Sequence, residues 1–224
     1  MIINNNSGRI IYNYYRPTTM SSSAQFKSIC TQNDMRLGKN PEMKLFTLEY
    51  NYTNPRFNIL SLINVNLHKL LHEVNKDIID SIEIHPHPTD PSEHNILYKF
   101  KEIGGDLGGF KTYMYVATKI AKRYASNGNT EIIFTSKSVP YEYHTELIQL
   151  KYKLLEYPLY IQKYIYREDA AATAAPVSNI QVLHMFKLKP DAESELTVAM
   201  ENAIGILIKK LYLRLKNAIE SLQA

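Results

Sequence analysis

The sequence predicts an α+β fold: a mixed or antiparallel sheet with packed helices and a long C-terminal amphipathic helix. Three observations carry this. Apolar residues recur at three- and four-residue steps from Leu196 to Leu222, the mark of one helical face. Lys44–Tyr52 instead alternates, with Phe46, Leu48, Tyr50 and Tyr52 on one side, as in a half-buried strand. Between them, Asn54-Pro55 and Asn127-Gly128-Asn129 punctuate the chain as turns.

In chain order, residues 9–15 are β-prone by composition. Residues 16–43 are polar and carry Ser21-Ser22-Ser23, Pro17, Gly38 and Pro41, so 1–43 reads as a strand followed by a mobile arm. An α+β core is expected over 44–169. After the strand at 44–52, Leu60, Ile63, Leu67, Leu71 and Val74 predict a helix over about 57–75. Ile78–Ile84 reads as a strand, and a proline-rich loop joins it to the Ile96–Phe100 strand. Phe110, Tyr113, Ala117, Ile120 and Tyr124 predict a second helix. Glu131–Thr135 reads as a strand. From Pro140, Leu147, Leu150 and Leu154 predict a helix that Pro158 ends or kinks, with a Tyr-rich helical segment on to Arg167. Residues 170–176 are alanine-rich and read as a linker. Residues 177–224 add the buried strand Asn179–Leu188 and a helix over about 191–222. At ~1.5 Å per residue that helix is roughly 45–50 Å long.

The balance of charge is mild, +4 with pI near 8.9, short of the dense positive footprint of a dedicated DNA-binding domain. One cysteine, Cys30, excludes an intrachain disulfide and points to a cytoplasmic or nuclear compartment, or a virion. No apolar run reaches the ~18 residues of a membrane span, and the start of the sequence does not read as a signal peptide. Tyr occurs 17 times and Trp not at all, with abundant Asn, Ile and Lys. Those codons are rich in A and T, so an AT-rich genome, such as that of a large DNA virus, a yeast or a protist, is expected.

Chemistry has few places to sit. His85, His87 and His94, with Asp90 and Glu93, are dense in metal-ligand types. Yet His85 and His87 each precede proline, which splays them in extended geometry, and they read as an exposed stiff loop. His68 and His72 are four apart on a helix, but Lys69 and Leu71 stand where zinc-protease motifs need glutamate. Gly104–Gly109 fits neither phosphate-binding spacing and holds Asp106, which repels phosphate. No Gly-x-Ser-x-Gly is present, and Cys30 has no nearby histidine. No enzyme, metal or cofactor is therefore expected.

Two interaction surfaces remain. The apolar breadth of the last helix marks Met200, Ile204, Leu207, Leu211 and Leu215 as an interface, with a protein partner or a second copy covering it. This makes the chain a non-catalytic assembly subunit of a larger complex. The alternative is nucleic-acid binding. Lys151, Lys153, Tyr157, Tyr160, Lys163, Tyr164 and Arg167 interleave cations with aromatic faces, as single-stranded nucleic acid requires.

Two stretches also resemble the small α-like assembly subunits of multisubunit RNA polymerases. His87–Ile96 is similar to a His-Pro turn leading into a strand. Met185–Asp191, continuing into Ala203–Leu207, looks like that family's terminal strand and dimerising helix. The family's His-Thr-Leu-Gly-Asn-type helix start is missing, and only Thr53 and Asn58 echo it. The resemblance implies an assembly role and assigns no site residues.

Overall fold

The computed structural model describes residues 26–103, 110–167, 177–189 and 198–223. Strands dominate: β1 (Lys27–Gln32), β2 (Met35–Asn40), β3 (Leu45–Thr53), β4 (Ile79–Pro86), β5 (Glu93–Ile103), β6 (Phe110–Tyr124), β7 (Asn129–Ser138), β8 (Tyr152–Leu154), β9 (Glu156–Arg167) and β10 (Asn179–Lys189). Three helices accompany them: α1 (Leu67–Glu73), α2 (His144–Gln149) and α3 (Val198–Ser221). One sheet runs β1-β2-β3-β10-β9-β7-β6-β5-β4, every neighbour antiparallel, and β8 pairs with β6 in parallel.

The expected balance of sheet and packed helices is therefore corrected to a large antiparallel sheet gripping one long helix. Two predicted helices are strands. In β6 the three- and four-residue spacing of Phe110, Tyr113, Ala117 and Ile120 competes with a period of two, and the period of two wins. Met114, Val116, Thr118 and Ile120 face one side, while Tyr113, Tyr115 and Ala117 face the other. Both faces are covered, so alternation of apolar with polar residues is lost. In β9, Tyr157, Tyr160, Ile161, Tyr164, Ile165 and Tyr166 are β-formers by type. The helix expected at 57–75 is a 3₁₀ turn, Ile59–Leu62, followed by the seven residues of α1. The strand expected at 9–15, Gly104–Gly109 and the linker at 170–176 lie outside the described residues. Within the stretch read as an arm, β1 and β2 form a hairpin, turned by Asn33 and Asp34 at φ 54° and 56°. Positive φ at both central residues is the hairpin turn whose twist suits antiparallel strands.

The sheet bends around its helices. From β3 to β4 is six strand spacings, roughly 29 Å if flat at ~4.8 Å each. A helix is only ~10–12 Å across with its side chains. Yet α3 packs on β2 and β3, and α1 touches both α3 and β4. Arg214 of α3 also holds Asp77, just before β4, through two bonds of 2.5 and 3.0 Å. Only a curled sheet brings both ends to the same helices.

Three polar devices fix α3. Lys39 on β2 pairs with Glu201 at 2.5 Å, both largely buried. Asn75, fully buried, donates to the carbonyl oxygens of Leu71 and Leu211. Asn54 donates to those of Ile219 and Leu222 at 2.8 and 2.9 Å, capping the helix C-terminus from a distant strand. Between them, Gly205 lets the helix approach β3. A β-carbon there would meet Phe46 Cε1 at 3.0 Å.

Candidate functional site

The inner face of the sheet, toward α1 and α3, is built by one set of alternating residues. Register places Phe46, Phe186, Tyr160, Ser136, Thr118 and His94 in a single row across β3, β10, β9, β7, β6 and β5. The next row holds Leu48, His184, Gln162, Phe134 and Ile120. Polar groups thus lie inside an otherwise apolar core and require partners.

Under α3 they have them. Tyr160 donates to the Tyr212 hydroxyl oxygen at 2.9 Å, and Gln162 Nε2 donates to both at 3.0 and 2.5 Å. With its hydrogen so used, Tyr160 accepts from His184 Nδ1 at 2.9 Å. His184 Nε2 then accepts from Tyr50 at 3.0 Å, and Tyr52 donates to Tyr50 at 3.2 Å. This assignment of protons follows from the network itself. Burial holds His184 neutral, its pKa lowered to about 3, and pushes Tyr212 up to about 12.

Under α1 the account does not close. His68 is buried, its ring 6.0 Å from Phe134 and 5.8 Å from Tyr98, so it bridges α1 to β7 and β5. Its Nδ1 meets the Tyr98 hydroxyl at 2.9 Å, while Nε2 has no partner. His94 Nδ1 is also buried without a partner. Thr118, beside His94, bonds Ser136 at 2.8 Å. Desolvation first, and the proximity of His94 second, lower the His68 pKa to about 4. Ile82, Ile84, Ile120 and Ile132 face inward here yet are only half-buried.

The sequence-derived sites fall elsewhere. Leu211 and Leu215 are buried by their own chain, and Ile204 and Leu207 pack against the same core; Met200 is exposed. The helix face thus has a cover, which removes the reason for an assembly partner. Tyr157 and Tyr164 are core residues and Tyr160 belongs to the inner network, whereas Lys163 faces the opposite side of β9. Lys151, Lys153 and Arg167 are exposed away from those rings, Lys151 in a turn at φ 63°. A strand sends neighbours to opposite faces, so cations and tyrosines do not form one nucleic-acid surface.

His85 and His87 stay outside. His85 lies 3.9 Å from Glu83, and His87 Nδ1 accepts from the Thr89 amide. Asp90 builds the β4–β5 turn by accepting from Ser92 and pairing with Lys119. Only His94 of the three enters the interior. His72 donates to the Asp80 carbonyl. Among the described residues no three His, Cys, Asp or Glu side chains are placed to share a metal ion. Sequence reasoning paired His68 with His72 and His94 with His87. The usable signal was the alternation His94, Ile96, Tyr98, Phe100.

No protein-family model and no curated protein matches the sequence. Solved structures do resemble the fold. Human StAR-related lipid transfer protein 5 aligns with a TM-score of 0.58 at 11% identity, covering 89% of this chain and 88% of that one. Human STARD10 aligns at 0.55 and 9%, covering 87% and 72%. A StAR-related lipid transfer protein fragment from Xanthomonas axonopodis aligns at 0.50 and 7%, covering 88% and 97%. These likenesses overturn the RNA-polymerase resemblance. The His-Pro segment is a hairpin, and β10 lies in mid-sheet between β3 and β9. Nor do these neighbours support a viral, complex-subunit or nucleic-acid reading. Two of the three are named for lipid transfer. Among the described residues no helix is long and apolar enough to cross a membrane. The architecture is the helix-grip fold seen in StAR-related lipid transfer proteins.

Proposed function

We propose that this chain binds an apolar, lipid-like ligand between α1 and the inner face of β4–β7, without catalysis. The supporting observation is the half-buried state of Ile82, Ile84, Ile120 and Ile132, which face the interior but are not closed over. Small-molecule sites are concave and mostly apolar, with few polar groups. Beneath α3 the network of Tyr160, Gln162, His184 and Tyr212 is satisfied, and among the described residues Asn202 Oδ1, on the helix itself, is the one buried side-chain atom there without a partner. Two of the fold's solved neighbours carry lipid transfer in their names, which favours the same class of ligand. The single cysteine favours a reducing compartment, cytoplasmic or nuclear.

The test is uptake of Nile red, an uncharged apolar dye, by the purified chain, followed by its displacement with long-chain lipids. Saturable uptake at one dye per chain is expected. Ile84→Glu and Ile120→Glu, placing charge on that face, should abolish uptake while circular dichroism stays unchanged. No saturable uptake by the folded wild type would overturn the proposal.

A further inference from the structure

Among the described residues three buried side-chain polar atoms have no hydrogen-bond partner: Asn202 Oδ1, His68 Nε2 and His94 Nδ1. The last two share one region of the interior: His68 packs on Phe134, which lies one inward row from the Ser136, Thr118 and His94 row. His68 comes from α1 and is 4% exposed; His94 comes from β5, two residues before fully buried Ile96. Leaving a donor or acceptor buried and unmade costs about 1–3 kcal/mol each. Two such atoms facing one region are therefore a positive signal for a molecule that completes them.

The proton on His68 can be placed. Tyr98 is buried, and burial raises its pKa far above the usual value, so it keeps its hydrogen. Among the described residues that hydroxyl has no other acceptor, so His68 Nδ1, 2.9 Å away, takes its hydrogen. A neutral imidazole with an accepting Nδ1 carries its hydrogen on Nε2. His68 thus presents an N–H donor that lacks an acceptor. His94 Nδ1 either donates or accepts.

Charge narrows the class. The buried lysines, Lys39 and Lys209, lie at the β1–β2 side, against Glu201 and Cys30. Around the two histidines the inner face offers isoleucines, Phe134, Tyr98 and the Thr118–Ser136 hydroxyls. Among the described residues no cation faces this region, so an anionic head would be desolvated there at a cost far above that of a neutral oxygen. We infer that the ligand is an uncharged apolar molecule ending in one hydroxyl or carbonyl oxygen, seated between His68 Nε2 and His94 Nδ1. A hydroxyl accepts from His68 and donates to His94; a carbonyl accepts from both.

This inference rests on the binding reading above, and one experiment separates their failures. Nile red bound to the full chain is displaced by dodecanol, methyl dodecanoate, dodecane and dodecanoate at pH 8, each below its aggregation limit. The alcohol or the ester should act at a concentration about tenfold or more below that of the alkane, the value of one hydrogen bond. Dodecanoate should do no better than the alkane. His94→Leu and His68→Leu should each erase the preference for the oxygenated chain while leaving alkane displacement in place. If alcohol, ester and alkane are equal in the wild type, the oxygen seat is refuted and the binding reading stands. A best-displacing dodecanoate would overturn the argument from charge. If no compound displaces dye, both readings fall. Should His68→Leu not fold, the wild-type series and His94→Leu decide.

Discussion

Truncating Leu215 to alanine separates a helix buried by its own chain from one that waits for a partner. Leu215 has no exposed surface and lies one turn from Leu211 and Ile219, which are also buried. Removing its isobutyl end loses about 2–3 kcal/mol of transfer free energy. The cavity left in a core pinned by Asn54, Asn75 and Arg214 adds to that. Leucine-to-alanine changes at such sites cost about 2.7–5 kcal/mol. We expect about 3–4 kcal/mol here, which at roughly 2–4 °C per kcal/mol lowers Tm by about 10 °C. Ile206→Ala is the control. That side chain is 47% exposed on the same helix, and its loss should cost under about 1 kcal/mol. Urea unfolding followed by circular dichroism, at two protein concentrations a hundredfold apart, reads both. A midpoint independent of concentration is expected, because no association is linked to folding. The reasoning fails if Leu215→Ala costs less than about 1 kcal/mol, or if the wild-type midpoint rises with concentration.

Gly205→Ala should destabilise by about 1–3 kcal/mol despite alanine's better helix propensity. The new carbon meets Phe46 Cε1 at 3.0 Å, and Phe46 is held by its stack on Phe186 at 5.1 Å; a higher melting temperature would show that the helix is free to shift. Asn54→Ala strips the caps from Ile219 and Leu222 and should cost about 2–3 kcal/mol in urea, with Asn54→Asp no better because it lacks the N–H donors. Stability should also fall on acidification from about pH 6.5. His68 and His184 have folded pKa values of about 4 and about 3, both below the unfolded value. The unfolded chain therefore binds more protons between those limits, and stability drops by about 2.7 kcal/mol per pH unit, twice 1.36, from about pH 6 to 4. Denaturation midpoints that stay flat down to pH 4.5 would refute the burial of both rings.

How much of this was legible depends on which physics each segment exposes. The stripe of α3 was plain because one helix face is apolar and the rest is not. What covers it was not plain, since a hydrophobic period reports burial and never the identity of the cover. β10, β4 and the Asn127-Gly128 turn were legible for similar local reasons; Gly128 takes φ 80°, as glycine readily does. β6 and β9 were misread because strands covered on both sides lose their alternation, leaving aromatic and β-branched content as the better guide. The Asn33-Asp34 turn carried its own signal and was absorbed into a polar stretch. For the site, His68 and His94 are 26 positions apart, and only the curling of the sheet brings α1 over β5 and β7.

The two polar groups of the interior differ in what they do for the fold. Tyr212 is the member that α3 contributes to the satisfied network, and through it Tyr160, Gln162 and His184 set the rotation of the helix on the sheet. Hydroxyls so used add little net stability over phenylalanine, because each exchanges a bond to water for one to protein. They do penalise every misrotated docking of α3 with several unmade bonds, and so they select one geometry. His68 holds α1 to the sheet through the bond of Nδ1 to Tyr98, but among the described residues its other nitrogen, Nε2, constrains nothing. Among the described residues the fold satisfies six polar side chains under α3, leaving Asn202 Oδ1 of that helix idle, and leaves two histidine nitrogens idle under α1, so it has spent its internal partners unevenly. That asymmetry, more than the outline of the fold, points to the α1 side as the place where a second molecule belongs.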